Sequence, residues 1–220
     1  MTQATRLPVI LVTGFLGSGK TTMLRHLLRS PKAADTAIIV NEIGAVGLDH
    51  HLLWTSTETT VVLENGCVCC SLREDLAETL SSLFWQRLRR EIPRFERIVV
   101  ETTGLADPRH VVATFATDPL LVERFRLQSV ITTVDAALGM ERHERHDEWA
   151  AQIGMADTLL LTKTDLASAD QVAATTKLLG ELNPLARVTP MARGDVAPEI
   201  IWQAGRTRPP GRVPFTLKPH

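Results

Sequence analysis

The chain has 220 residues, 44% of them apolar and 22% charged, with a formal net charge of −1. This is the composition of a globular protein with one sizeable core; it offers no basic face for nucleic acid, and no apolar run reaches the ~18 residues of a membrane-spanning helix. All three cysteines fall between positions 67 and 70, a poor disulfide framework and a good metal cluster, so a reducing, cytoplasmic setting is expected.

Residues 9–14, VILVTG, form an apolar run that feeds into Gly14-Phe15-Leu16-Gly17-Ser18-Gly19-Lys20-Thr21 and then Thr22. The pattern G-x-x-x-x-G-K-[ST] is the phosphate-binding loop, and it needs a strand before it and a helix after it. Glycines let successive N–H groups turn inward on phosphate oxygens. A helix over 20–29 would aim its positive end at the same anion. Gly14, Gly17, Ser18, Gly19, Lys20, Thr21 and Thr22 are therefore the expected nucleotide-binding residues. Lys20 would reach the β- and γ-phosphates, and Thr21 would ligate Mg²⁺.

A second strand is expected over 36–42, TAIIVNE, followed by a loop with two glycines that ends at Asp49, His50 and His51. A third strand, 60–64, runs to Asn65-Gly66 and then Cys67-Val68-Cys69-Cys70. Ser71 and Glu74 make a capping box, so a helix follows to about residue 90. Residues 97–102, RIVVET, read as a buried strand ending at Gly104, and Asp107-Pro108 caps a helix through 116. A strand over 127–134 leads to a charged, histidine-bearing segment, 141–148, and a helix to about 153. Then come a strand at 157–163, a helix at 168–182, a strand at 187–190 and a weak helix around 200–202.

Strands alternating with helices, and reading as continuous apolar runs, predict a three-layer α/β/α domain of the P-loop NTPase kind. About seven mostly parallel strands are expected, with the phosphate loop at their carboxyl ends. That domain would occupy 1–205. Residues 206–220, with four prolines, read as a tail or linker.

Glu101 closes a buried strand, where a carboxylate in a P-loop protein serves Mg²⁺ directly or through water. Gly104 could donate its N–H to the γ-phosphate, so Lys20, Glu101 and Gly104 form the candidate catalytic set. Thr21, Glu101 and Glu42 are the candidate Mg²⁺ ligands. Thr162, Lys163 and Asp165 follow a late strand. Asp165 could accept from guanine N1–H and the 2-amino group, which adenine does not offer. Cys67, Cys69 and Cys70 precede a helix N-terminus that would favour their thiolates, and clustered thiolates suit Zn²⁺, Cu(I) or Co²⁺. A fourth ligand would come from Glu42, His50, His51, water or another chain. His143 and His146, among charged neighbours, read as a solvated helix start, and the four tryptophans as packing.

Taken in order, GFLGSGKTT, NEIG, GCVCC, ETTGLADP and TKTD resemble the CobW-type P-loop GTPases, metal-trafficking relatives of the urease and hydrogenase maturation GTPases. The resemblance covers roughly residues 8–201. It implies GTP hydrolysis to GDP with Mg²⁺, Zn²⁺ (in some members Co²⁺) at Cys67, Cys69 and Cys70, and metal delivery to a client metalloprotein. Thr162 stands where that family typically has Asn, and Ala45 where many members have Glu. The family's smaller C-terminal domain is expected to be absent or truncated. No residue is assigned to position the attacking water and no arginine finger is found, so intrinsic turnover should be slow, and a partner or homodimer could supply the missing group. The rival readings are a P-loop small-molecule kinase and a non-enzymatic metal buffer. Neither nucleic acid nor membrane is expected as a partner.

Overall fold

A computed structural model describes residues 6–40, 61–64 and 72–205; over 61–64 and 72–75 it describes the backbone alone. The strands are β1 (Leu7–Gly14), β2 (Thr36–Val40), β3 (Val61–Glu64), β4 (Arg97–Glu101), β5 (Phe125–Asp135), β6 (Thr158–Thr162) and β7 (Arg187–Met191). They form one seven-stranded sheet in the order β3-β2-β4-β1-β5-β6-β7, and every pairing is parallel. The expected three-layer α/β architecture is present.

The helices are α1 (Lys20–Leu28), α2 (Leu72–Arg89), α3 (Pro108–Thr117), α4 (Pro119–Arg124), α5 (Gly139–Arg145), α6 (Asp147–Met155), α7 (Ala169–Leu182) and α8 (Pro198–Gln203). Because strand side chains alternate between faces, β1 splits its apolar run. Val9 and Leu11 pack with Leu80 of α2, Val111 of α3 and Leu121 of α4. Ile10 and Val12 pack with Met23 and Leu27 of α1 and Ile201 of α8. A third cluster joins Val134 and Leu159 to Trp149, Ile153 and Leu179 of α6 and α7. Both faces of the central strands are thus covered, which is why those strands carry no polar alternation.

Three elements differ from the sequence reading, one of them α5, a separate helix where a charged lead-in to α6 is expected. β5 is eleven residues long, starting at Phe125. A separate short helix, α4, precedes it: Asp118 caps Leu121 N–H with Pro119 at the first position, repeating the Asp-Pro device that starts α3. The capping box of α7 is complete, Ser168 and Gln171 each bonding the other's backbone N–H. Met191 at the end of β7 is buried, but that edge strand is otherwise half-exposed.

Candidate functional site

The loop after β1 is shaped by three left-handed glycines, Gly14 (φ 138°), Gly17 (φ 70°) and Gly19 (φ 97°). A Cβ on Gly14 would overlap the Thr133 carbonyl, so no larger residue fits. Gly19 is the N-cap of α1 and supplies no side-chain cap. The first N–H groups of that helix therefore have no capping side chain, the arrangement an anion exploits. Ser18 is buried, with its hydroxyl 2.7 Å from Thr133 Oγ1. The Lys20 amine arcs over the loop and donates to the carbonyls of Gly14 (2.9 Å) and Phe15 (3.3 Å).

β4 runs beside β1 in register Val12↔Glu101, which brings the carboxylate to the loop. Glu101 is 2% exposed and accepts the Thr21 hydroxyl at 3.0 Å. The hydroxyl and carboxylate are hard oxygen donors at the first turn of α1, a set that suits Mg²⁺ better than a soft ion. Next along the chain, Thr102 N–H donates to Val12 O at 2.9 Å. Gly104 lies so close to the loop that a Cβ there would sit 2.6 Å from Leu16 N.

The loop from Thr102 to Asp107 has a brace that the sequence did not disclose. Gln152 of α6 is fully buried, and its side-chain amide donates to Gly104 O and Ala106 O, both at 3.1 Å. A glutamine on an amphipathic helix carries no motif, so only the packing of α6 against α3 reveals it. Asp107 caps α3 by accepting Arg109 N–H at 2.9 Å and pairs with the Arg109 guanidinium. Burial works to raise the Asp107 carboxyl pKa, but the Arg109 side-chain bond, its backbone N–H and its charge outweigh burial, and the net direction is downward.

At the other end of the site, Thr162 is buried and its hydroxyl donates to Ser18 O (2.8 Å) and Val134 O (3.1 Å). The residue thus ties β6 to the phosphate loop. Lys163 (φ 55°) is paired with Asp135 at 2.6 Å. Asp135 in turn accepts from Ala137 N–H and Leu138 N–H. Like Glu101, Asp135 is a carboxylate that closes a buried strand, and that position was the signal available for it. Asp165 is exposed beyond that pair, 3.5 Å from Arg193.

Gly14, Gly17, Ser18, Gly19, Lys20, Thr21, Thr22, Glu101, Gly104, Thr162, Lys163 and Asp165 all lie along the carboxyl edge of the sheet. Glu42, His50, His51, Cys67, Cys69 and Cys70 lie outside the described residues, as does Ala45. The solvated reading of the two histidines is corrected. His146 packs on the Phe15 ring at 4.4 Å, and His143 faces Trp149 at 5.6 Å with its Nδ1 buried. Arg142 lies over the same Phe15 ring, its guanidinium 4.8 Å from the ring centre. No helix among the described residues is long and apolar enough to cross a membrane.

Residues 8–190 match the model of the CobW/HypB/UreG nucleotide-binding domain. The chain belongs to that family. Within it, the chain is similar to the zinc chaperone YjiA of Escherichia coli, with 38% identity over 188 residues, 86% of this chain and 58% of the relative. It is also similar to the zinc-regulated GTPase metalloprotein activator 1 of Schizosaccharomyces pombe, 33% identical over 88% of this chain and 48% of the relative. The chain thus spans only about half of these curated relatives. Among solved structures, a Zn(II)-bound triple mutant of the YjiA GTPase superposes with a TM-score of 0.75 at 30% identity, covering 99% of this chain and 67% of that one. HypB from Archaeoglobus fulgidus, at 14% identity and a TM-score of 0.55, shares the CobW/HypB/UreG fold.

Proposed function

We propose that this CobW-family domain is a GTP-hydrolysing metal chaperone that binds Zn²⁺ (or Co²⁺) at Cys67, Cys69 and Cys70 and couples nucleotide state to metal transfer to a client metalloprotein. The observation that carries the reading is the convergence of Lys20, Thr21, Glu101 and Gly104 on one loop. The names of relatives, zinc chaperone and zinc-regulated GTPase activator, support the metal side.

On this reading the loop's N–H groups and the Lys20 amine cradle the β- and γ-phosphates. Lys20 exchanges its two carbonyl partners for phosphate oxygens. Thr21 and Glu101 would hold Mg²⁺, with Glu42 as a further candidate; the ion would supply positive charge that offsets the charge developing on the phosphates. Gly104 N–H donates to the γ-phosphate, while Gln152 holds the same residue's carbonyl. Asp165 selects guanine, with Lys163 beside it and Thr162 fixing their strand to the loop. Residues 1–205 act as the nucleotide-binding unit. Glu42 or His50 completes the metal site. Loss of the γ-phosphate then relaxes the loops on either side of the cysteines, which changes metal affinity.

The test is metal competition against a chromophoric chelator, with the protein held in GDP or in a non-hydrolysable GTP analogue. Zn²⁺ affinity should differ between the two states, in either direction, and fall in Cys69→Ala. Equal affinities would remove the coupling. Free phosphate released without an acceptor, and lost in Lys20→Ala, would separate a GTPase from the kinase and buffer alternatives.

A further inference from the structure

Thr162 stands where the resemblance set out above implies an asparagine, and its hydroxyl is committed. It donates to Ser18 O and Val134 O, both backbone carbonyls, from a position 2% exposed. It offers no donor to the Hoogsteen edge of a base, where guanine presents N7 and O6. A donor for that edge does stand nearby. Arg193 follows β7, the strand next to β6, and its guanidinium Nε lies 3.5 Å from Asp165 Oδ2.

The position of Arg193 is fixed by its turn. Asp195 N–H donates to Ala192 O at 2.9 Å, and the two central residues, Arg193 (φ 53°) and Gly194 (φ 82°), are both left-handed. This is the tight mirror-image turn, and an arginine adopts it only where its surroundings dictate. Here they do. A Cβ on Gly194 would sit 2.9 Å from Thr22 Cγ2, so the turn rests on the first turn of α1. Asp195 pairs with His26 of the same helix at 3.2 Å. Lys163 (φ 55°), two residues before Asp165, is left-handed as well. Arg193 therefore projects from an anchored turn between the phosphate-binding helix and the guanine-reading aspartate. Its side chain is 85% exposed, and an ion pair so loose and wet holds it weakly.

We propose that Arg193 is a guanine-selecting residue, donating to N7 and O6 while Asp165 accepts from N1–H and the 2-amino group. This rests on the GTP reading above. The two charges stand side by side, 3.5 Å apart, as guanine's neighbouring O6 acceptor and N1–H donor require of the groups that read them. An adenine would place its 6-amino donor against the guanidinium and its N1 lone pair against the carboxylate, so both groups reject it. Arg193 thus takes over the base edge that Thr162 does not reach.

The test is equilibrium titration of wild type, Arg193→Ala, Arg193→Gly and Arg193→Lys with GDP, 7-deaza-GDP and ADP. Glycine relieves the left-handed backbone, so it separates the side chain from the turn. Wild type should bind 7-deaza-GDP about tenfold more weakly than GDP, as befits loss of one arm of a bidentate contact. The Ala and Gly variants should both bind GDP about tenfold more weakly than wild type, treat GDP and 7-deaza-GDP alike, and discriminate less against ADP. Lys should restore part of the affinity. If both variants keep wild-type GDP affinity or still distinguish 7-deaza-GDP, or if only Ala weakens binding, Arg193 is not the reader. If wild type prefers GDP no more than ADP, the guanine reading itself falls, a result distinct from failure at Arg193 alone.

Discussion

The Thr21 hydroxyl donates to the Glu101 carboxylate at 3.0 Å, joining the first turn of α1 to the carboxyl end of β4. The two residues are 80 positions apart in sequence, and only the parallel pairing of β1 with β4 brings them together. Their oxygens are the reason for assigning Mg²⁺ to this spot. Glu101→Gln keeps an acceptor for Thr21 but removes the charge. We expect nucleotide binding without Mg²⁺ to change little, and Mg²⁺-dependent phosphate release to fall by about 10–100-fold. Phosphate release that is unchanged would remove Glu101 from the metal site.

Thr162 contributes through one hydroxyl and two carbonyls. Thr162→Val leaves Ser18 O and Val134 O without that donor, and a buried acceptor stripped of its partner costs about 1–3 kcal/mol. Urea unfolding should show that loss, and GDP affinity should fall several-fold because Ser18 belongs to the phosphate loop. Thr162→Ser, which keeps the hydroxyl, should remain close to wild type in both. A valine variant with full stability would mean that the tie is without energetic consequence.

The contrast between Thr162 and Gln152 shows what could be read from the sequence. The phosphate loop, the seven strands and the Asp107 cap announce themselves through local patterns: glycines at fixed spacing, β-branched runs, Asp-Pro. Thr162 was visible because it interrupts a motif. The Asp118-Pro119 start of α4 carried the same local signal as Asp107-Pro108, but six helical residues before a strand are too few to impose a period. Gln152 and Arg193 left no pattern, since each acts on a loop remote in sequence: Gln152 on Gly104, 48 positions away, and Arg193 on Asp165, 28 positions away. Such pairings depend on how α6 packs on α3 and how β7 lies on β6, which no window of sequence contains.

Gln152 holds Gly104 and Ala106 by their carbonyls, so it should govern how readily that loop moves. Gln152→Leu has a similar size and cannot donate. It should cost about 1–3 kcal/mol by leaving the two carbonyls without this partner. Amide hydrogen exchange across 103–106 should rise while exchange in the central strands stays low. If exchange rises uniformly, Gln152 supports the core as a whole rather than this loop.

Asp107 provides a pH signature at the end of the same loop. Its carboxylate caps α3, and its pKa is lowered in the folded state because the Arg109 bonds and charge overcome burial. A carboxyl group with a lowered folded pKa contributes stability above its unfolded value, near 3.9, and loses it as pH falls through the folded value. Removing the cap in Asp107→Ala should therefore cost about 1 kcal/mol at pH 7, the usual size for an N-cap. The deficit should be undiminished at pH 5, where the carboxyl is ionised in both states, and should shrink towards pH 3 and below. Urea unfolding of wild type and variant at pH 7, 5 and 3 measures it. A deficit that is constant down to pH 3 would mean that the capping hydrogen bond operates without help from the charge, and that the ion pair with Arg109 adds nothing to the fold.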